Sequence, residues 1–320
     1  LDFSPRLTWG RLRIPNLPGM VISTFRLAQI IRRENIDIIN SHHRFAALIG
    51  NIVAKCLGVP LLNTMHEFMG DYKFMTNLSF GQFVIVPSAI VKDQVIEKYV
   101  IPAEIVQVVP FGVKAPPPLT DESRQNLIAD IGLDDQHPII GCVARLEKVK
   151  GQVYLLKAIS LLRAVHPKAQ FVFVGGGQDL DELRTLSSEL NIQEMVHFLG
   201  HRQDVSDLMA IFDIKILPSV SEMLPIVLLE ALVQGTPVVA SEVGGIPEIV
   251  QDKFNGLLVP PRDVPALTDA ILKLLDDPEL VVVYGKAGKR TIEQKFSHQQ
   301  FVDQTEQLFR QSEEVFLSRR

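Results

Sequence analysis

The chain has 320 residues, 47% of them hydrophobic, a net charge of −5 and two cysteines. That size supports one large core or two of moderate size. No run approaches 18 uncharged apolar residues, so no membrane span is expected. No cleavable signal is visible either, and without basic and aromatic interleaving nucleic acid is excluded as a partner.

Cys56 and Cys142 lie far apart with no metal-ligand spacing near them. In apolar surroundings both read as core thiols of a reducing, cytoplasmic compartment. Charge is uneven: residues 1–113 carry 11 Lys+Arg against 8 Asp+Glu, and residues 114–320 carry 21 against 29. Most of the early excess is Arg6, Arg11, Arg13, Arg26, Arg32, Arg33, Arg44 and Lys55. It reads either as ordinary solvated helix faces or as an edge that meets an anionic acceptor or membrane surface from the cytoplasmic side.

In chain order, residues 1–19 carry scattered Pro and Gly and give no clear element. Apolar spacing predicts an amphipathic helix over about 20–34, a buried strand over 36–40 ending at Ser41-His42-His43, and a helix to about 57. Further strands are predicted at 60–65, ending at His66-Glu67, at 83–86, followed by a helix to about 99, and at 105–109. Short strands buried on both faces and alternating with helices make an α/β fold. The polar residues that follow them stand on the rim where open parallel sheets bind ligands.

Ala115-Pro116-Pro117-Pro118 reads as a stiff connection, after which the alternation restarts. Strands are predicted at about 138–144, 171–174, 195–198, 213–217, 237–240 and 256–259, with helices at 264–275 and 278–295 and an amphipathic tail at 299–317. The division is 1–115, 116–296 and a terminal helix 297–320 that packs back on the first domain.

Residues 218–250 hold the most informative stretch. Glu222 lies in a loop after a strand, Pro225 takes the first helical position, and the helix runs to about Gln234 with Gly235 as its stop. That helix is apolar on nearly every side except at Glu230. An unpartnered buried carboxylate is costly, so Glu230 has either a partner inside the protein or a polar ligand, such as sugar hydroxyls, above the strand ends. Arg145 and Lys150, five residues apart in a strand-end loop, suit a diphosphate. Gly175-Gly176-Gly177 lets a ligand approach the backbone without forming a dinucleotide fingerprint. Asp179-Leu180-Asp181 reads as helix-dipole charge rather than a metal motif. Gly200-His201-Arg202 is placed to flank a base.

Glu222 and Glu230 resemble the E-x(7)-E motif of retaining glycosyltransferases of family 4. Arg145-Leu146 to Lys150-Gly151 is similar to that family's R-L-x-x-x-K-G, and Gly244 to Glu248 and Asn255 to Pro260 also follow its pattern. The resemblance implies a GT-B fold, two Rossmann-like domains facing a cleft. It implies that Glu230 holds ribose hydroxyls, that Arg145 and Lys150 take the diphosphate, and that Glu222 with the backbone of Met223 and Leu224 faces the transferred sugar. His66 resembles a first-domain histidine near the reacting bond, and His42 a second cleft histidine. Each lone histidine otherwise reads as a satisfied core or surface residue. Pro225, Gly175 and Arg202 complete the expected nucleotide-sugar contacts.

The implied reaction moves a hexose-type sugar, with retention and no metal or other cofactor, from a UDP- or GDP-sugar to a glycan or lipid-linked acceptor, as in cell-envelope polysaccharide synthesis. The sequence departs from the family at Met223, where Gly is common, and at Phe111-Gly112-Val113, where N-G-V is common. The family's opening strand and glycine-rich loop would precede Leu1, so the first domain is expected to be N-terminally truncated. A non-catalytic nucleotide-sugar-binding remnant and, with less support from E-x(7)-E, an epimerase are the rival readings.

Overall fold

A computed structural model describes residues 6–9, 12–15, 17–66 and 77–318. They form two compact units, Leu1–Pro110 with Val302–Arg320, and Phe111–Phe301. These boundaries fall a few residues from the expected divisions at 115 and 296.

In the first unit, β1 (Arg6–Trp9) and β2 (Leu12–Pro15) form an antiparallel hairpin, where no element was expected. Its strands are four residues each, too short for alternation to show against the surrounding Pro and Gly. Helix α1 (Leu17–Arg33) follows, then β3 (Ile39–Ser41), α2 (Arg44–Leu57), β4 (Leu61–Thr64), β5 (Phe83–Val86), α3 (Ala89–Tyr99) and β6 (Val106–Val108). The four strands β3 to β6 lie parallel in sequence order.

The predicted strand at 36–40 begins late. Asn35 takes φ 49° and the Ile36 N–H closes on the Ile31 carbonyl at 3.0 Å, so these residues finish α1. Cys56 is exposed, contrary to its expected place in the core. On α2 the buried stripe runs through Ile49, Val53 and Ala54, and Cys56 stands off that stripe beside exposed Ile52 and Lys55. Glu67 lies outside the described residues.

The second unit contains α4 (Asp121–Asp130), β7 (Ile139–Val143), α5 (Gln152–Leu162), β8 (Gln170–Val174), α6 (Leu180–Glu189) and β9 (Val196–Gly200). It continues with α7 (Val205–Ile211), β10 (Ile214–Leu217), α8 (Ile226–Gln234), β11 (Val238–Ser241), α9 (Ile246–Ile249), β12 (Gly256–Val259), α10 (Val264–Asp276) and α11 (Pro278–Lys295). The last helix, α12 (His298–Ser318), belongs mostly to the first unit, where the Ser312 hydroxyl donates to Gln82 Oε1 at 3.2 Å.

The six strands of the second unit run parallel in the order β12-β11-β10-β7-β8-β9. One core cluster, with Phe171, Leu156 and Ile271, covers one face, and another, with Leu228, Leu232 and Met209, covers the other. Burial on both faces is why these strands read as continuous apolar runs rather than alternating ones. The chain winds from β7 through β8 to β9, then returns to place β10 on the other side of β7. That reversal is a topological switch point, which opens a crevice at the carboxyl ends of the strands.

Candidate functional site

The loops that leave β7 and β10 flank the switch point, and they carry Arg145, Lys150 and Glu222. The two loops are tied together: the Val220 N–H donates to the Val149 carbonyl at 2.8 Å. Gly151, at φ 71°, backs so closely onto the Pro218 carbonyl that a Cβ would overlap it. Lys150 Nζ meets Glu222 Oε1 at 2.7 Å, with the two side chains 18% and 9% exposed. The Ser219 hydroxyl donates to the same oxygen at 2.7 Å. A charge-assisted pair of this length, largely shielded from solvent, fixes the Glu222 carboxylate in place.

The next loop, after β11, clamps the Glu222 segment from behind. Gly244 has φ 53° and its missing Cβ would collide with the Glu222 carbonyl. The Gly245 N–H donates to the Met223 carbonyl at 2.6 Å. Met223 and Leu224 are buried, so their side chains anchor the loop. Pro225 is the N-cap of α8 rather than its first residue, and Ile226 opens the helix. The turn stays extended through Pro225 at ψ 110°, one residue longer than the expected proline start.

Arg145 is more open than Lys150. Its side chain is 62% exposed and donates to Glu147 Oε1 at 2.9 Å. Its backbone is fixed by Gln152, whose amide donates to the Arg145 carbonyl at 2.8 Å. The glycine loop after β8 lies against it, with the Gly175 N–H donating to the Gly200 carbonyl at 2.8 Å and Leu146 N–H to the Gly176 carbonyl at 2.9 Å. Arg202 spends its fork on Asp204, at 2.9 and 2.6 Å. That pairing lowers the Asp204 carboxyl and raises the guanidinium. Arg202 is thus held at the rim by its own loop.

Glu230 lies on α8 between buried Leu229 and Ala231 and is itself half-buried. Burial pushes its carboxyl up, and the field of Lys215 pulls it down. Among the described residues nothing hydrogen-bonds or ion-pairs with the Glu230 carboxylate. Of the two readings left open by the sequence, an internal partner is represented there by the field of the buried Lys215 and by no hydrogen bond or ion pair among the described residues. Asp179 is the N-cap of α6, a place that suits dipole-complementing charge. Sequence reasoning missed Lys215, which is fully buried in β10 with its Nζ donating to the Ile216 carbonyl at 3.0 Å and the Val143 carbonyl at 3.4 Å. The signal was a lysine inside a strand otherwise apolar on both faces.

In the first unit, adjacent strands β3 and β4 end at the two histidines, which meet. His42 Nδ1 stands 2.8 Å from His66 Nε2, with the rings stacked at 5.1 Å. Thr64 Oγ1 donates to Asn40 Oδ1 at 3.1 Å, and Asn40 Nδ2 lies 3.2 Å from His42 Nε2. An amide nitrogen donates, so the pairing with Asn40 suits the His42 tautomer that accepts at Nε2 and turns an Nδ1–H toward His66.

Residues 123–291 match the family model for group 1 glycosyl transferases, and residues 5–115 match that for glycosyltransferase family 4. A D-inositol 3-phosphate glycosyltransferase of Corynebacterium jeikeium is 30% identical over 286 residues, covering 80% of this chain and 68% of that protein. A UDP-Gal:alpha-D-GlcNAc-diphosphoundecaprenol alpha-1,3-galactosyltransferase of Escherichia coli is 26% identical over 307 residues, covering 90% and 78%. Among solved structures, Anabaena Alr3699/HepE in complex with UDP and glucose superimposes with a TM-score of 0.84 at 22% identity, covering 93% of this chain and 84% of that one. The likeness is to a GT-B glycosyltransferase fold.

Proposed function

Because this chain belongs to the group 1 glycosyl transferases of family 4 type, which act on nucleotide sugars, we propose that it transfers a hexose-type sugar from a UDP- or GDP-sugar with retention of anomeric configuration. The acceptor proposed is a glycan or a lipid-linked saccharide of the cell envelope. The observation that carries the reading is the Lys150–Glu222 pair at the switch point of the second unit's sheet, with Glu230 on the helix that follows, held by no hydrogen bond or ion pair among the described residues.

Each residue has a role consistent with its geometry. Glu230 accepts hydrogen bonds from ribose hydroxyls, which supply the donors its helix lacks. Lys150 has three N–H donors, of which Glu222 takes one, and the others serve the diphosphate. Arg145, on a fixed backbone with an exposed side chain, serves it as well. As the sugar–phosphate bond breaks, charge grows on the nucleoside diphosphate, and each such contact contributes about 1.5–3 kcal/mol. The N-terminus of α8 adds roughly 1 kcal/mol. With cations in that position the proposed chemistry needs no metal. Glu222 and the backbone of Met223 and Leu224 face the sugar. Gly175, Pro225 and Arg202 are the proposed nucleotide contacts, and His42 and His66 are the proposed histidines of the reaction.

We further infer a peripheral contact with an anionic membrane surface at the cytoplasmic face. On α1, Val21, Ile22 and Phe25 are 55%, 53% and 73% exposed beside Arg26, with Arg32 and Arg33 in the last turn. Among the described residues no helix is long and apolar enough to cross a membrane.

A transfer assay with a panel of UDP- and GDP-sugars tests the reading. An α-linked donor should give an α-linked product by NMR, and Lys150→Ala should lower turnover about tenfold to a hundredfold, the range of one charge-assisted contact, with little change in folding. An inverted product removes retention, and unchanged turnover removes Lys150 from the site.

A further inference from the structure

The carboxyl ends of β3 and β4 carry four polar side chains on one face of the first unit's sheet. In this parallel pair Asn40 lies opposite Leu62 and Ser41 opposite Asn63. Alternation along each strand therefore puts Asn40, His42, Thr64 and His66 on the same side. Ser41 and Asn63 take the other side, where they bond to each other at 2.7 Å. The four are joined in a single line. Thr64 Oγ1 donates to Asn40 Oδ1, Asn40 Nδ2 points at His42 Nε2, and His42 Nδ1 meets His66 Nε2. Thr64 gives that line its direction. Its hydroxyl is buried, and among the described residues Asn40 Oδ1 is the acceptor it has. With the amide turned over, the hydroxyl would have to accept, and its own proton would lose that partner. The other end of the line is open to a ligand, since both imidazoles are exposed. Asn40 and His42 also line a cavity of about 220 Å³ with Ser23, Leu27 and Ile49.

We propose that Asn40 is a positioning residue for the histidine pair, fixing both rings with their protons on Nδ1 so that His66 offers a saccharide oxygen an N–H donor rather than a base. This rests on the reading of His42 and His66 as histidines of the reaction. An amide NH2 has only protons to give, so His42 accepts at Nε2. A neutral ring has one N–H, which then sits on Nδ1 and is donated to His66 Nε2. The same rule puts the His66 proton on its own Nδ1. Each ring is thus held in one of its two neutral tautomers by the residue before it, back to Thr64. The consequence is chemical. An imidazole whose lone pair is already taken removes no proton from an acceptor hydroxyl, but its N–H holds an oxygen in place.

Asn40→Asp tests this with little change of shape. The carboxylate still accepts from Thr64, but toward His42 it can only accept. Protein is labelled with nitrogen-15 in the histidine rings, and the two rings are assigned by their loss in His42→Gln and His66→Gln. Spectra are taken near pH 8.5, above the range in which an ordinary imidazole gains a second proton. Wild type should show Nδ1 protonated and Nε2 bare in both rings. In Asn40→Asp the His42 proton should move to Nε2, and the His66 proton should follow to its own Nε2. A wild-type proton on Nε2 of either ring, or tautomers unmoved in the variant, overturns the proposal without any substrate. Release of UDP or GDP from the donor sugars of the transfer assay is then compared. Turnover should fall about fivefold to tenfold in Asn40→Asp, the range of one hydrogen bond. Calorimetric affinity for UDP or GDP should stay at the wild-type level, because the proposed nucleotide contacts lie in the second unit. Moved tautomers with unchanged turnover overturn the positioning role, and so does a matching loss of nucleotide affinity, which would make the defect one of folding. Unchanged turnover in His66→Ala, or no release by wild type from any donor, overturns instead the reading on which that role rests.

Discussion

Lys215 binds its proton less tightly in the folded chain than in the unfolded one, where an ordinary lysine titrates near 10.4. With a folded value of about 8, the unfolded state holds more protons between those two pH values, so stability rises with pH through that window. The gain is on the order of 3 kcal/mol for a shift of this size. Chemical denaturation at pH 7.5 and 10 should show it in wild type relative to Lys215→Met, and the methionine variant should be the more stable of the two at pH 7.5. Equal pH dependence in the two proteins would mean that the ammonium is not desolvated. At this scale Glu230, Arg145 and Lys150 stand out in the sequence as charges among apolar neighbours or at a strand end, and Glu222 through its spacing from Glu230, which makes them the site candidates. Lys215 stood out in the same way inside Ile214-Lys215-Ile216 and was passed over. Cys56 was read as a core thiol from its apolar neighbours, but only the orientation of α2 decides which of them face inward.

The loop that presents Glu222 depends on a turn that contributes no side chain. Gly244 holds a left-handed conformation with its α-carbon against the Glu222 carbonyl. Gly244→Ala adds both backbone strain and an overlap with backbone, which cannot move aside as a flexible side chain can. The expected cost is about 1–3 kcal/mol of stability, read as a fall in Tm, together with a rise in KM for the donor as the Lys150–Glu222 pair loosens. A Tm and KM equal to those of wild type would show that the turn is not the clamp described. At the scale of elements, the second unit was the more legible. Its central strands are buried on both faces, and β12 and α11 fall where apolar runs and Pro or Gly stops place them. The hairpin of β1 and β2 was not legible, since two four-residue strands take their stability from pairing, which no local pattern records. The start of β3 was misplaced because Ile36 is apolar and yet closes a helix.

Across the whole molecule, the residues of the first 113 positions are net basic and the remainder net acidic. The basic part includes α1, with apolar side chains exposed next to arginines. If that helix meets lipid, the protein should sediment with vesicles containing phosphatidylglycerol and remain in solution with phosphatidylcholine alone, and Phe25→Asp should abolish the difference. Sedimentation that ignores lipid charge would contradict this. The two-sheet organisation was legible from the proline run and the restart of alternation, whereas the switch point was not, because strand order is set by long-range pairing. That switch point is where the loops after β7 and β10 bring Lys150 to Glu222. The account rests on Glu230 and these neighbours forming a nucleotide-sugar site, and the most direct measurement is calorimetric titration of wild type and Glu230→Gln with UDP, GDP and their 2′-deoxy forms. One ribonucleotide should bind wild type at least tenfold more tightly than it binds Glu230→Gln, and removal of the 2′-hydroxyl should weaken wild type while leaving the variant nearly unchanged. Equal affinities of both nucleotides for the two proteins, or no binding to wild type, would contradict it.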